Sequence, residues 1–470
     1  MVTAAAADSF TPDFGVDPMT ALIDHTRLHR TAKYFMDSGR AATHDDAMSI
    51  LRGFGTLIRV GPEAAVSIPH QIALLTLVNL ARRTLLGGVE VLGVPDAPLL
   101  VPLARARSLA DTVVELGGTL STTGNPLWPV AQIGTVPPPT DASSWQLTWQ
   151  GWRGGVVPRH DARRLSDDAA NPLAAAMAAA AAAAELFAWH ASDHPMSGRR
   201  AAGFSLWNPG ADWLAPDASE PELSYLPASL WLIGLGNLGQ AFSWLLACLP
   251  YADRSKVELT LQDYDLIAAS NDSTSLLSSL PLVGTKKTRV VASWLEAAGF
   301  KTALEERRFG PWTLRGPHDP AVAFCGVDNA PTRADLGTAK FELVVEAGLG
   351  AGPVGFRNFS LHTFPSSRRP DQIWRREAAG SAFDVSAMPA YSALRKSGLD
   401  TCGLAQLASR TVGVPFVGLI AAALAVSEPL RRLHGGSGVE IASGSALSLC
   451  DVECVRLPFS PYAFGHLPAL

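Results

Sequence analysis

Short apolar blocks alternate along the chain with longer stretches of helical spacing. In the second half, Ser229-Leu-Trp-Leu-Ile-Gly234 reads as a buried strand and Gly239 to Leu249 as a helix. Val257-Glu-Leu-Thr-Leu-Gln-Asp263 predicts the next strand, Lys286 to Ala298 a helix, and Ala321–Cys325 and Leu343–Ala347 two further strands. Strand–helix alternation of this kind predicts an α/β fold, a mostly parallel sheet with helices on both faces.

The first half repeats the plan in a worn form. Thr56-Leu-Ile-Arg-Val-Gly61 predicts a strand, His70 to Leu86 a helix and Val89-Glu-Val-Leu-Gly93 a second strand. Two Ala-rich apolar segments also match: Pro172 precedes Glu185 by 13 residues, and Pro415 precedes Glu428 by the same 13. Each Pro suits the first turn of a helix, and the shared spacing points to an internal duplication. Neither segment offers about 20 clean apolar residues, the length a bilayer demands, so both are expected to be core helices. The Pro-, Gly- and Trp-rich stretch Ala202–Pro227 reads as the linker. It divides the chain into residues 1–225 and residues 226–470.

Composition narrows the classes. Of 470 residues, 47% are hydrophobic and 17% charged, enough for two large cores and too apolar for wholesale disorder. A net charge of −5 speaks against a phosphate-coating nucleic-acid binder. Met1 to Met19 shows no basic start followed by an apolar run, so no signal sequence is expected. Cys248, Cys325, Cys402, Cys450 and Cys454 form no CxxC pair. Neither zinc nor a disulfide framework is expected, and a cytoplasmic setting is the default.

The sharpest local signal is Gly234-Leu-Gly-Asn-Leu-Gly239, which follows a strand and opens a helix. Its glycines allow a tight turn and close approach of backbone N–H groups to phosphate. Asp263 stands 24 residues beyond Gly239, at the end of the next strand, where a carboxylate can accept ribose hydroxyls. Alone, this Rossmann-like pair fits an NAD-dependent oxidoreductase equally well. The turn is followed, however, by Gln262-Asp-Tyr-Asp-Leu-Ile-Ala-Ala-Ser-Asn271, Val283-Gly-Thr-Lys-Lys287, and Cys325-Gly-Val-Asp-Asn329 with Arg333. That order resembles the adenylation fold shared by ubiquitin-activating enzymes and the bacterial adenylyltransferases of thiamine and molybdopterin sulfur transfer. The likeness is tight over about residues 229–350 and loose over 400–435.

The resemblance implies ATP as the nucleotide and a role for each matching residue. Gly234, Gly236 and Gly239 would cradle phosphate, Asp263 hold ribose, Asn271 lie near the triphosphate, Lys287 bind phosphates and Asp328 bind Mg²⁺. A lysine and a carboxylate-held cation suit departure of pyrophosphate. One position departs from the pattern: the family's arginine three residues after the Asn is here Thr274. Arg289, Arg307 and Arg308 are candidates to replace it. The first half has Gly61 but neither further glycine, acid nor lysine of the pattern, so it is expected to bind no nucleotide. This layout resembles the larger ubiquitin-activating enzymes, in which an inactive adenylation-like half packs on an active one. It implies an arginine reaching across, with Arg30 preferred over Arg27.

Asp400-Thr-Cys402-Gly, followed by Val412-Gly-Val-Pro-Phe-Val-Gly418, resembles the family's crossover loop, placed at about residues 365–411. There Cys402 would take the acyl group as a thioester or take part in persulfide chemistry; the alternative is a packing cysteine. The implied protein is an activating enzyme for a ubiquitin-like protein ending in Gly, working with a conjugating enzyme and without nucleic acid or membrane, and a homodimer is compatible with it. A silent scaffold of the same fold is the rival that Thr274 favours.

Overall fold

The computed structural model describes residues 25–137, 143–159, 161–377, 387–458 and 460–470. The N-terminal stretch read for a signal sequence and residues 378–386 of the crossover segment lie outside them. The first sheet holds β1 (Gly55–Val60), β2 (Gly88–Leu92), β3 (Thr119–Ser121), β4 (Val130–Ile133), β5 (Ser144–Gln150), β6 (Arg153–Pro158) and β7 (Ala202–Ser205). A strand β8 (Tyr225–Pro227) pairs with the last strand, β17 (His466–Pro468). The second sheet holds β9 (Ser229–Ile233), β10 (Glu258–Gln262), β11 (Lys301–Glu305), β12 (Val322–Cys325), β13 (Leu343–Leu349), β14 (Asn358–Phe364), β15 (Val439–Ser445) and β16 (Ser448–Arg456).

The first sheet runs β3-β2-β1-β4-β5-β6-β7 and the second β11-β10-β9-β12-β13-β14-β15-β16. Subtracting eight from the second set returns the first order, with β16 added at the edge. Pairing changes sense at the same place in both: β4 and β5 are parallel and β5 and β6 antiparallel, as are β12 with β13 and β13 with β14. The fold is therefore α/β with a mostly parallel sheet in each half, and the duplication expected from the apolar pattern is present in the topology.

The matched Ala-rich segments explain their own spacing. Helix Leu173–Ala191 joins β6 to β7 and helix Pro415–Leu433 joins β14 to β15. Glu185 and Glu428 are both fully buried. Glu185 accepts from Gly198 N at 3.0 Å and from the Arg200 guanidinium at 2.7 Å. Glu428 accepts from Val439 N at 3.1 Å and from Arg431 and Arg432. Each carboxylate thus ties the end of its helix to the chain returning toward the sheet, and a buried acid persists because it is paired. Pro415 opens its helix, whereas Pro172 is the N-cap of its own. Leu173–Ala191 is the one helix among the described residues long and apolar enough to cross a membrane, and 89% of that stretch is buried inside the protein. Gly154 of β6 permits the helix to approach closely, since a Cβ there would run into the Ala174 carbonyl.

Two sequence expectations change. Ala202–Pro227 is not simply a connection, because its first four residues are β7 of the first sheet. Its glycine content reflects packing: a Cβ on Gly203 would sit 2.7 Å from Gly155 Cα and 2.9 Å from the Trp213 ring. The crossover segment is not one loop either, and carries helices Pro370–Glu377, Pro389–Lys396 and Thr401–Ser409.

The halves share one apolar core, in which Phe187 and Phe416 of the two long helices lie 5.7 Å apart. Polar ties add direction. Arg83, fully buried after helix Ile68–Ala81, donates to the carbonyls of Leu276 at 2.8 Å, Ser278 at 3.1 Å and Asp272. Asn79 donates to the Leu276 carbonyl at 3.2 Å, and Trp244 Nε1 to Thr76 Oγ1 at 3.0 Å.

Candidate functional site

A cavity of about 430 Å³ opens at the C-terminal ends of β9, β10 and β12, where the strand order of the second sheet reverses. Open α/β sheets bind ligands at such a switch point. The chain leaves β9 through Gly234, whose φ of +82° a side chain would strain. A Cβ at Gly239 would run into the Gly234 carbonyl, so this glycine lets helix Asn237–Cys248 start close under the turn. Gly236 faces open space, with nothing within 4 Å of an added Cβ. The three glycines therefore do different work: Gly234 and Gly239 make the turn, and Gly236 leaves room above it.

Asp263 is buried and held on both oxygens, accepting from Leu235 N at 2.7 Å and Asp265 N at 2.8 Å. Two backbone donors fix the carboxylate beside the turn and leave it further lone pairs for a hydroxyl. Lys287 opens helix Lys287–Ala297 and reaches Asp265 Oδ2 at 2.8 Å. Burial disfavours its charge, but Asp263, Asp265 and Asp328 outweigh this and hold its pKa above the ordinary lysine value. Asp328, just beyond β12, is exposed to the cavity and forms no hydrogen bond among the described residues. Asn271 spends its side chain locally, its Oδ1 accepting from Ala268 N at 2.8 Å.

Arg30 comes from the other half. It begins helix Arg30–Asp37, all eight of whose residues are buried, so the helix is not a solvated face. Its backbone N–H donates to Ser273 Oγ at 3.0 Å and its guanidinium to the Thr411 carbonyl. Burial and then the neighbouring charge of Arg410 pull its pKa down to about 10, with Asp328 pulling the other way. The opposite end of the helix is anchored by Tyr391, whose hydroxyl donates to Asp37 at 2.7 Å. Arg27 is exposed and outside the cavity.

Of the residues singled out in the sequence, Gly234, Gly236, Asp263, Asn271, Lys287, Asp328 and Arg30 line this cavity together. Gly239 lies beneath it and Cys402 outside. Cys402 stands in the first turn of helix Thr401–Ser409, capped by Asp400, and is exposed. Cys248 and Cys325 are buried; burial pushes the Cys325 thiol up to about 12 and that of Cys248 further. Thr274 lines the cavity. Among the arginines considered for its missing partner, Arg308 is at the cavity, whereas Arg289 pairs outward with Glu306 at 2.9 Å and Arg307 with Glu305 at 2.7 Å. The sequence reading missed Arg410, Asp265 and Asn237. Asn237 donates to the Gly413 carbonyl at 2.6 Å and packs so tightly on Gly418 that a Cβ there would overlap it. The glycines of Val412–Gly418 were the available signal.

Two family models match the chain: one described as the BilD N-terminal domain over residues 55–206, the other as the BilD C-terminal domain over residues 226–436. A protein of Collimonas sp. (strain OK412) named Bacterial E1-like protein BilD is 56% identical over 453 residues, covering 96% of this chain and 98% of that protein. Among solved structures, E. coli MccB with MccA-N7isoASN aligns at 12% identity and a TM-score of 0.33, covering 50% of this chain and 65% of that one. E. coli MccB with ATP aligns at 13% identity and a TM-score of 0.31, covering 50% and 64%. The alignment thus spans just under two thirds of the MccB chain. By its close likeness to the Collimonas protein over nearly its whole length, the chain belongs to the BilD family.

Proposed function

We propose that this protein activates the C-terminal carboxylate of a ubiquitin-like protein with ATP, and that residues 226–470 form the active half and residues 1–225 an inactive one. The observation that carries the reading is the single cavity in which a glycine turn, a fixed carboxylate, a buried lysine and an arginine from the other half converge. The E1-like name of the Collimonas relative agrees with it. In the reaction a carboxylate oxygen of the modifier attacks the α-phosphorus, the bond to the β-phosphate bridging oxygen breaks, and pyrophosphate leaves. Lys287 and Arg30 would stabilise the negative charge that develops, and Asp263 would hold the ribose. Asp328 suits Mg²⁺: it is one free carboxylate, and that ion takes one or two carboxylates together with substrate phosphates. Bound there, the ion would neutralise phosphate charge. The Cys402 thiolate would then attack the acyl carbon, releasing AMP and leaving a thioester for a conjugating enzyme to accept. An exposed thiol on a helix whose following residue, Arg410, lines the cavity supports that step.

Calorimetric titration tests the nucleotide: one Mg-ATP per chain is expected and no comparable affinity for NAD. Affinity for NAD equal to that for Mg-ATP would sink the reading. With a ubiquitin-like substrate supplied, Cys402→Ala should keep pyrophosphate exchange and lose the thiol-sensitive adduct completely. A thioester is open to thiol attack and an amide is not. An adduct that persists in the variant would make Cys402 a packing residue, and brisk exchange without any wild-type adduct would end the chemistry at the adenylate.

A further inference from the structure

Thr274 stands where the resembling enzymes place an arginine, and the same cavity is lined by a cation from elsewhere in the chain, Arg410. The stretch Arg410–Gly413 runs past this threonine: an added Cβ on Gly413 would lie 3.8 Å from Thr274 Cγ2. Arg410 lines the cavity, and its side chain has no hydrogen bond or ion pair among the described residues. It is also close enough to Arg30 for the two charges to oppose each other. Arg30 in turn joins both sides of the gap, its backbone on Ser273 and its guanidinium on the Thr411 carbonyl. Two like charges are therefore held together at one wall, opposed within the cavity chiefly by Asp328. Such an arrangement costs free energy until a polyanion occupies the space between them.

We infer that Arg410 is the phosphate-binding arginine of this site, replacing from the segment after helix Thr401–Ser409 the donor that Thr274 cannot provide. Its ligand is the phosphate tail of the nucleotide, and its planar fork suits two phosphate oxygens at once. The inference rests on the adenylation reading. It adds to that reading an arginine that sequence order alone does not align. The donor also lies on the segment that carries Cys402, eight residues downstream, about 12 Å along if the helix runs straight at 1.5 Å per residue.

The test compares Mg-ATP with AMP on the full chain. In wild type, Mg-ATP should raise the melting temperature well beyond AMP. In Arg410→Ala the melting temperature without nucleotide should hold or rise as the opposing charge is removed, the AMP shift should remain, and the Mg-ATP shift should fall to the AMP level. Pyrophosphate exchange should drop about 10–100-fold, the scale of a charged hydrogen bond lost. Returning the arginine to its usual place, in the double variant Arg410→Ala/Thr274→Arg, should recover exchange. Arg410→Ala that keeps the full Mg-ATP shift, or loses the AMP and ATP shifts alike, overturns the inference, as does a folded double variant no better than the single one. A wild-type chain without any Mg-ATP shift would instead overturn the function on which it rests.

Discussion

At the end of β1 the chain turns through Gly61-Pro62-Glu63, and at the end of β9 through Gly234-Leu235-Gly236, with β4 and β12 beside them in the same register. In the first corner the Glu63 carboxylate fills the space, both oxygens 3.1 Å from Thr135 N, where a Cβ on Gly134 would meet its side chain. In the second, Asp263 holds the turn from the side and Gly236 faces nothing within 4 Å. One corner satisfies itself and the other is left open for a ligand. Duplicated topology survives because it is written in many apolar positions, each tolerant of change. A ligand site is written in few, and in the first turn a glutamate, Glu63, stands where the second has Gly236.

That contrast can be broken or sharpened by substitution, from the strongest effect downward. Lys287→Ala in the open corner should lower pyrophosphate exchange about 10²–10³-fold, the scale for a positioned charge at a transition state. Exchange kept at the wild-type rate would remove the lysine, and with it the open corner, from the chemistry. Arg30→Ala should lower exchange about 10–100-fold, because it removes one charge-assisted donor. An unchanged rate would remove Arg30 from the chemistry. Arg83→Met should take the guanidinium from the carbonyls of Asp272, Leu276 and Ser278, leaving Leu276 only its bond from Asn79, at about 1–3 kcal/mol. A melting temperature equal to wild type would mean that the first half does not hold the second half's loop.

The weakest effect belongs to Glu63. Burial works against its charge, but the hydrogen bonds from Thr135 prevail and lower its pKa below the usual carboxylate value. The sign follows: its contribution is present above the unfolded glutamate pKa and is lost as pH falls through the folded one. Glu63→Ala should therefore change the melting temperature slightly at neutral pH and not at all in strong acid. A second Mg-ATP per chain appearing in this variant would show that the carboxylate was all that kept the first corner closed.

How far the sequence spoke depended on the range of the interaction. The strand ends, the glycine turn and the Pro–Glu spacing are local patterns, and each stands in the fold close to where the apolar blocks set it. Asp400-Thr-Cys-Gly also holds a local signal, since an Asp accepting from Gly403 N at 2.7 Å is an ordinary helix N-cap. That cap puts Cys402 on a helix rather than in a loop. Ala202–Pro227 misled because glycine and tryptophan serve both turns and tight sheet packing, and only the facing residues decide. Arg410 was out of reach for a different reason. Its place in the cavity wall follows from how Asn237 grips the Gly413 carbonyl, a contact across 176 residues of chain.

The Arg83 clamp bears on dilution. In an assembly of two separate subunits, a loop held by the neighbour's arginine would slacken whenever the pair came apart, and the site would depend on protein concentration. Here donor and loop are parts of one continuous chain, so their encounter is set by a fixed effective concentration. The first half can then keep the arginines that brace its partner without any loss from dissociation. Specific nucleotide turnover should accordingly stay constant over a thousandfold dilution of the protein.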